Sequence, residues 1–270
     1  MTEFLPVSSS GHLVVARKLL GLEAPELFLE VCLHAGTLVA IVAVFYRDLF
    51  RLLKDGVKGL ALFCRGAGRA AVAQQAPLFG TAVSIVVGTI PAAVVGLALH
   101  DAIKGLFGDP RWCGALIAVT GLLLIASRSA PAGQRRQVSL LRGLVIGIAQ
   151  ALALLPGISR SGSTIVTGYF VGLERSEAAR FSFLLSVPAL AGAMAWELAK
   201  RFSASHATGG EKLALSGDAV IGIALGTLIA AVVGWVCLKV LFRIIRKGKL
   251  HWFGAYCVPA GLLFFALSSL

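Results

Sequence analysis

Runs of apolar residues dominate this chain, and they recur at the spacing of membrane crossings. A transmembrane helix needs about 20 mostly apolar residues. Stretches of that kind occupy 76–99, 112–127, 219–238 and 252–270. Two less clean stretches, 29–46 and 178–198, bring the predicted crossings to six, and Pro188 interrupts the second. Two further stretches break down partway. Residues 143–155 are apolar as far as Leu155-Pro156-Gly157, after which the chain turns polar through Ser159, Arg160, Ser161, Gly162, Ser163 and Thr164. Residues 4–20 follow the same course, with Leu5-Pro6 leading into Ser8, Ser9, Ser10, Gly11 and His12. Irregular polar backbone at membrane depth is tolerated only where protein buries it or it lines a wet cavity. Both stretches therefore read as re-entrant helical hairpins.

The two hairpins belong to a longer internal similarity. Leu5-Pro6 and its serine run return as Leu155-Pro156 and Ser159 to Gly162. The run from Gly88 to Gly96 returns from Gly226 to Gly234, matching at seven of nine positions. Trp112, Gly114 and Gly121 return as Trp252, Gly254 and Gly261. All three matches keep their order and are offset by similar distances. Three crossings separate the hairpins, so an odd number of passages inverts one half relative to the other. The predicted fold is an all-α integral membrane protein, a single membrane domain over 1–270, with an inverted-topology repeat. Its halves run over about 1–128 and 140–270, an architecture whose site usually sits near the midplane where broken helices meet.

Composition supports the membrane assignment. Apolar residues make up 57% of the chain, mean hydropathy is +0.87, and only 14% of residues are charged. A soluble domain carries about 25% charged residues to cover its wetted surface. An ordinary soluble enzyme, a disordered chain and a disulfide scaffold are excluded. The net charge of +12 comes from residues in short loops, the pattern of cytoplasmic loops rather than of nucleic-acid binding. Of 25 Lys and Arg, 17 fall in segments around 47–75, 128–142, 172–180 and 239–249, which assigns that side to the cytoplasm. The first hairpin then enters from outside and the second from the cytoplasm. Cys32, Cys64, Cys113, Cys237 and Cys257 are scattered without metal-ligand spacing and read as small buried hydrophobes.

Chemistry concentrates in the hairpins. Arg160 follows an apolar run into a polar tip, and an Arg in a spanning helix costs about 2.5–3.5 kcal/mol on insertion scales. A guanidinium fork suits an oxyanion. Hydroxyls of Ser159, Ser161, Ser163 and Thr164 surround it, and a helix starting near Gly162 would aim free N–H groups at the same point. Together these form a phosphate cradle. Gly157 to Thr164 has the outline of a P-loop, but lacks its Lys and its preceding strand, which rejects nucleotide binding. In the first hairpin, Glu3, Ser8, Ser9, Ser10 and His12 supply a carboxylate, candidate nucleophiles and a proton acceptor, a phosphoryl-transfer set. A plain turn and N-cap for a helix starting near Gly11 is the competing account of the serines. Ser9 and His12 share a face if the helix has begun by Ser9. His34, His100, His206 and His251 read as structural, and Glu30 is left open.

The segments from Thr2 to His12 and from Leu155 to Gly162 closely resemble the two signature motifs of the bacterial undecaprenyl-diphosphate phosphatase family linked to bacitracin resistance. The similarity runs along the whole chain, including Gly88 to Pro91 and Phe181 to Pro188. The resemblance implies a multi-pass enzyme of the bacterial inner membrane, reached from the periplasmic side, which removes the terminal phosphate from undecaprenyl diphosphate. It implies Ser9 as nucleophile, Ser8 and Ser10 as phosphate-binding neighbours, and His12 as general acid/base. Arg160 becomes the diphosphate clamp, supported by Ser159, Ser161 and Gly162. Glu3 becomes the ligand of a divalent cation, Mg²⁺ or Ca²⁺, or the group that positions the attack. The family pattern places a further apolar segment, ending in an acidic or Gln residue, before the Thr-Glu stretch. The sequence here starts at Met1-Thr2-Glu3, so the first carboxylate of the family's acidic pair has no counterpart. No nucleic-acid partner is expected, and the oligomeric state is left open, a homodimer included. The competing function is an inverted-repeat transporter or flippase for a polyprenyl phosphate or small anion, which would need the Arg160 clamp but no nucleophile.

Overall fold

The computed structural model describes residues 3–20, 27–106, 109–131, 133–207 and 217–269. Within them the regular elements are helices, joined by one isolated bridge between Arg135 and Leu173. In chain order these are α1 (Ser9–Leu20), α2 (Leu27–Cys64), α3 (Arg69–Gln75), α4 (Phe79–Ala98), α5 (His100–Leu106) and α6 (Pro110–Ala126). After a 3₁₀ turn at Ser127–Ser129 come α7 (Leu140–Leu152), α8 (Arg160–Phe170), α9 (Arg175–Ala207), α10 (Gly217–Arg246) and α11 (Trp252–Ser269). Among the described residues four helices are long and apolar enough to cross a membrane: Phe79–Ala98, Pro110–Ser129, Arg175–Glu197 and Ala224–Arg246. Shorter apolar helices cover Leu140–Leu152 and Trp252–Ser268. The chain is a multi-pass, all-α membrane protein.

Lipid, not intrinsic propensity, explains why so many β-branched residues are helical. In hydrocarbon every backbone N–H and C=O must be satisfied within the segment, and a helix does that alone. The outward surface agrees. Val86, Ile90, Val94 and Leu97 form an exposed stripe along α4, and Leu225, Leu228, Val232, Val236 and Val240 form one along α10. Such faces would drive aggregation in water and suit an acyl environment. The helices run through Pro91, Pro188 and Pro259 without ending, as helices in membrane proteins tolerate.

Glycines bring the helices close. A Cβ added to Gly114 of α6 would meet Phe265 N at 2.6 Å and the Gly261 carbonyl at 2.9 Å, and one on Gly254 of α11 would meet the Gly121 carbonyl at 2.6 Å. The two helices thus run antiparallel, with Gly114 paired to Gly261 and Gly121 to Gly254. Gly88 of α4 meets Gly143 and Gly147 of α7, with Ser84 also against Gly143, so that pair runs parallel. Gly36 of α2 meets Thr227 and Ala230 of α10, while Gly234 meets Ala40, again a parallel pair. Close backbone approach through small residues is the main means of packing where the surrounding lipid is as apolar as the side chains. An aromatic cluster of Phe4, Phe45, Phe183 and Phe242 ties the N-terminal turn to α2, α9 and α10, with successive ring centroids 5.7 to 6.3 Å apart.

The structure corrects the sequence reading in two places. The segment 47–75, expected to be a loop, is largely helical: α2 continues through a kink at Phe45 to Cys64, and α3 follows. Its apolar residues stay in register on one face, so nothing in the sequence stops the helix. Cys64, read as buried, is exposed at the end of α2, while Cys113 and Cys257 are buried as expected.

The close pairs predict a contrast between glycines. Gly121→Ala forces a Cβ to within 2.6 Å of Val258 N and should lower stability by about 1–3 kcal/mol, read as a lower melting temperature in detergent. Gly222→Ala, with nothing within 4 Å, should be neutral or slightly stabilising.

Candidate active site

The second serine motif is held by α6. The chain leaves α7 at Leu152 and turns through Gly157, whose φ of +107 is disfavoured for any residue with a side chain. The turn also presses on α6, where a Cβ at Gly157 would lie 2.5 Å from the Cys113 carbonyl. Thr120 of α6, fully buried, donates its hydroxyl to the Gly157 carbonyl (2.9 Å) and accepts the Ser159 N–H (3.1 Å). One hydroxyl thus satisfies two backbone groups that leave the helix in the protein interior. Ser159 then caps α8: its Oγ accepts the Gly162 N–H at 3.1 Å, and its carbonyl accepts the Ser163 N–H at 2.9 Å. This cap starts α8 at Arg160, two residues before the predicted start.

The first motif is built the same way. Val7 N–H bonds to the Leu5 carbonyl at 2.8 Å, and Ser8 adopts a φ of +63, a left-handed conformation uncommon for a residue with a Cβ. Ser8 Oγ accepts the Gly11 N–H at 3.4 Å, and its carbonyl accepts the His12 N–H at 3.3 Å. Helix α1 therefore starts at Ser9. Ser8 to Gly11 and Ser159 to Gly162 have matching roles, and the second motif's extra residue before its serine is absorbed in the Gly157 turn. Gly11 packs against Gly157, and Gly162 against Pro6.

Each helix thus opens with one candidate residue, Ser9 in α1 and Arg160 in α8, and Glu3 joins them. One carboxylate oxygen of Glu3 accepts a hydrogen bond from Ser9 Oγ, and the other is 3.3 Å from Arg160 Nη2. Both partners of the ion pair keep about a quarter of their side-chain surface accessible (22% and 28%), so a ligand from outside can compete for the guanidinium. The starts of two helices thus meet at one carboxylate, and helix starts are a favourable setting for an anion. Ser161 Oγ lies 3.4 Å from Ser159 Oγ, and Ser10 is half-buried in the first turn of α1. Ser163 Oγ is buried without a partner among the described residues.

His12 shares the start of α1 with Ser9 but bonds elsewhere. Its Nδ1 lies 2.8 Å from the Ser8 carbonyl, which only accepts, so Nδ1 carries a proton. Its Nε2 then meets the hydroxyl of Tyr256 from α11 at 2.9 Å, and the two rings stack with centroids 5.7 Å apart. The group directly on the Ser9 hydroxyl is Glu3. Sequence reading missed Thr120, Tyr256, and Ser182 of α9, whose hydroxyl bonds to Thr164. These are single polar residues in apolar helices, and only spacing across the fold links them to the motifs. His34, read as structural, is half-buried in α2. The side chains of Glu30 and His206 lie outside the described residues.

The family model of the bacitracin resistance protein BacA matches residues 1–263. An undecaprenyl-diphosphatase of Desulfatibacillum aliphaticivorans is 41% identical over 271 residues, covering 97% of this chain and 92% of that protein. One from Desulfosudis oleivorans is 42% identical over 266 residues, with the same coverage of each chain. One from Korarchaeum cryptofilum is 38% identical over 267 residues, covering 99% and 94%. The chain belongs to the bacitracin resistance protein BacA family.

The Thr120 bridge gives a direct test of how the second motif is held. Thr120→Val removes a hydroxyl and leaves the Gly157 carbonyl and Ser159 N–H unpartnered in the interior, at about 1–3 kcal/mol for each buried group. Thermal unfolding in detergent should show a large loss for Thr120→Val and only a small one for Thr120→Ser.

Proposed function

We propose that this BacA-family protein is an undecaprenyl-diphosphate phosphatase, which hydrolyses the lipid diphosphate to the lipid monophosphate and inorganic phosphate. The observation that carries the reading is the Glu3 carboxylate bridging Ser9 and Arg160 at two converging helix starts. The names of the related proteins supply the substrate.

In this reading Arg160 clamps the diphosphate. It holds Glu3 through Nη2 alone, so its other N–H donors are available to phosphate oxygens, aided by the first-turn amides and by the hydroxyls of Ser8, Ser10, Ser159 and Ser161. The Gly162 backbone, free of a side chain, keeps α8 close to Pro6 and the first turn. Ser9 Oγ attacks the terminal phosphorus and gives its proton to Glu3, the P–O bond between the two phosphates breaks, and the lipid monophosphate leaves. Water then attacks the phosphoserine with His12 taking its proton, the bond from phosphorus to the Ser9 oxygen breaks, that oxygen takes back the proton held by Glu3, and inorganic phosphate departs. Nε2 is the basic nitrogen of His12, because Nδ1–H is committed to the Ser8 carbonyl. Tyr256 orients that ring.

Among the described residues no three His, Cys, Asp or Glu side chains converge on one point. One carboxylate with neighbouring hydroxyls fits a hard divalent ion that substrate phosphates help to hold. Glu3 would be the protein ligand of Mg²⁺ or Ca²⁺, which when bound would neutralise phosphate charge.

The reading extends to topology: an inverted repeat whose re-entrant hairpins, α1 with its preceding turn and α7 with α8, meet at the site. Reciprocal contacts support it. Gly114 faces Gly261 as Gly121 faces Gly254, and Gly11 faces Gly157 as Gly162 faces Pro6. A two-fold relation between the halves maps each contact onto its partner. The parallel α4–α7 and α2–α10 pairs and the antiparallel α6–α11 pair also fit the crossing directions expected from the loop charges. We place the charged segments in the cytoplasm of a bacterial inner-membrane protein and the catalytic junction within reach of the periplasm.

Phosphate release by the detergent-purified protein, with a polyprenyl diphosphate and each divalent ion, tests the chemistry. Ser9→Ala should lower turnover by about 10²–10⁴-fold. Arg160→Lys should lose much of the activity despite keeping its charge, because an ammonium cannot form the bidentate fork. Substantial release by Ser9→Ala would replace the covalent route with an activated water. No release by the wild type under any ion would favour the transporter.

Topology has its own measurement. With native cysteines removed, a cysteine at Asp101 should react with an impermeant thiol reagent in intact cells, and one at Arg135 should not. Both positions are exposed on the protein, so reversed labelling would invert the orientation.

A further inference from the structure

The second half of α2 presents three distinct faces. Toward the protein it turns Asp48, Leu52, Asp55, Gly56 and Gly59. Arg180 of α9 bonds to Asp48 through Nη2 and through Nε, the latter at 3.0 Å. Asp55 accepts the Leu78 N–H at 3.0 Å, and Gly59 lies directly against Phe79 at the start of α4. Away from the protein, Phe50, Leu53, Val57, Leu60 and Phe63 are each more than half exposed. They repeat at three- and four-residue steps and so form one stripe. Beside that stripe, Arg47, Arg51, Lys54 and Lys58 fall within about 60° of arc on a helix of 3.6 residues per turn, and all four are exposed.

Charge is fully segregated here. Both acidic residues of the segment are used on the inner face, and among the described residues no ion pair neutralises Arg51, Lys54 or Lys58. Contact with Phe79 and Leu78 sets the segment beside the beginning of a membrane-crossing helix, the depth at which hydrocarbon gives way to headgroups. An apolar stripe flanked by a basic band is the signature of a helix lying in that boundary. A second copy of the chain is a poor occupant, because the outer face of this segment offers it basic groups and no acidic ones.

We infer that residues 46–64 form an interfacial helix that binds anionic phospholipid, its apolar stripe among the acyl chains and its basic band on the phosphate oxygens of the headgroups. This surface is separate from the proposed catalytic junction and does not depend on that assignment.

The test uses the full chain in lipid nanodiscs of phosphatidylcholine with and without phosphatidylglycerol. After replacement of native cysteines, a spin label at Val57→Cys should be accessible to oxygen and shielded from a water-soluble nickel chelate. Separately, Arg51→Gln, Lys54→Gln and Lys58→Gln together should lower the preference for spin-labelled phosphatidylglycerol over phosphatidylcholine by at least about threefold, with the melting temperature unchanged. These side chains are exposed, so folding should survive, and the Val57 measurement keeps the basic band intact. Accessibility of the Val57 label to the nickel chelate would place the stripe in water and overturn the inference. Shielding from both reagents would mean that protein covers it, with the same consequence. An unchanged lipid preference in the triple variant would remove the role assigned to the basic band.

Discussion

Two helices of this protein begin in its interior, and the backbone groups freed there have no water to turn to. Unpaired buried amides and carbonyls are costly, so each start must carry its own partners. Ser8 and Ser159, both buried, do this by capping α1 and α8, and Thr120 completes the second by serving the Gly157 carbonyl and the Ser159 amide together. The cap serines are thus accounted for before any chemistry is assigned to them. Once the caps are made, Ser9 and Arg160 become the first residues of their helices, and Glu3 touches both. The structural use of the two serine motifs and the catalytic use proposed for them are therefore successive positions of the same turns.

Holding two such turns together requires short distances. A Cβ at Gly11 would meet Ile117 at 2.7 Å and Gly157 at 3.1 Å, and one at Gly162 would stand 3.3 Å from Pro6, so both contacts are tight. Phe4, one residue from Glu3, is buried and packs on Phe183 of α9, which in turn meets Phe45 and Phe242. The carboxylate that bridges Ser9 and Arg160 is thus fixed by an aromatic anchor drawn from three helices. Its ion pair is partly open to solvent, so it can exchange for an anionic ligand at lower cost than a sealed pair could.

Charge in the rest of the chain follows the same division between inside and outside. Asp48 and Asp55 face inward to a guanidinium and a backbone amide, while the cations of the same helix face outward. An amphipathic pattern in a membrane protein thus has three destinations: protein, acyl chain and headgroup. Charge density alone does not separate a loop from a helix that turns its cations to one side, so the segment beyond residue 46 reads as a loop in the sequence and is a helix in the structure.

Much of the arrangement was legible in the residues themselves. Apolar runs of crossing length located α4, α6, α10 and α11, because lipid demands about 20 apolar residues per passage. The broken runs at Leu5-Pro6 and Leu155-Pro156 marked the turns, because Pro followed by serines cannot continue a helix in hydrocarbon, and the cost of burying Arg160 singled it out. Sequence could also match Gly114 and Gly121 to Gly254 and Gly261, but it could not say that these glycines touch one another. Nor could it say that Glu3 lies between Ser9 and Arg160, that the His12 ring turns to Tyr256 rather than Ser9, or that Thr120 supports the second turn. Local pattern reports the environment a residue needs, since burial and backbone satisfaction are paid for segment by segment. Which polar group meets which across more than a hundred residues depends on helix packing, and only the tertiary structure decides that.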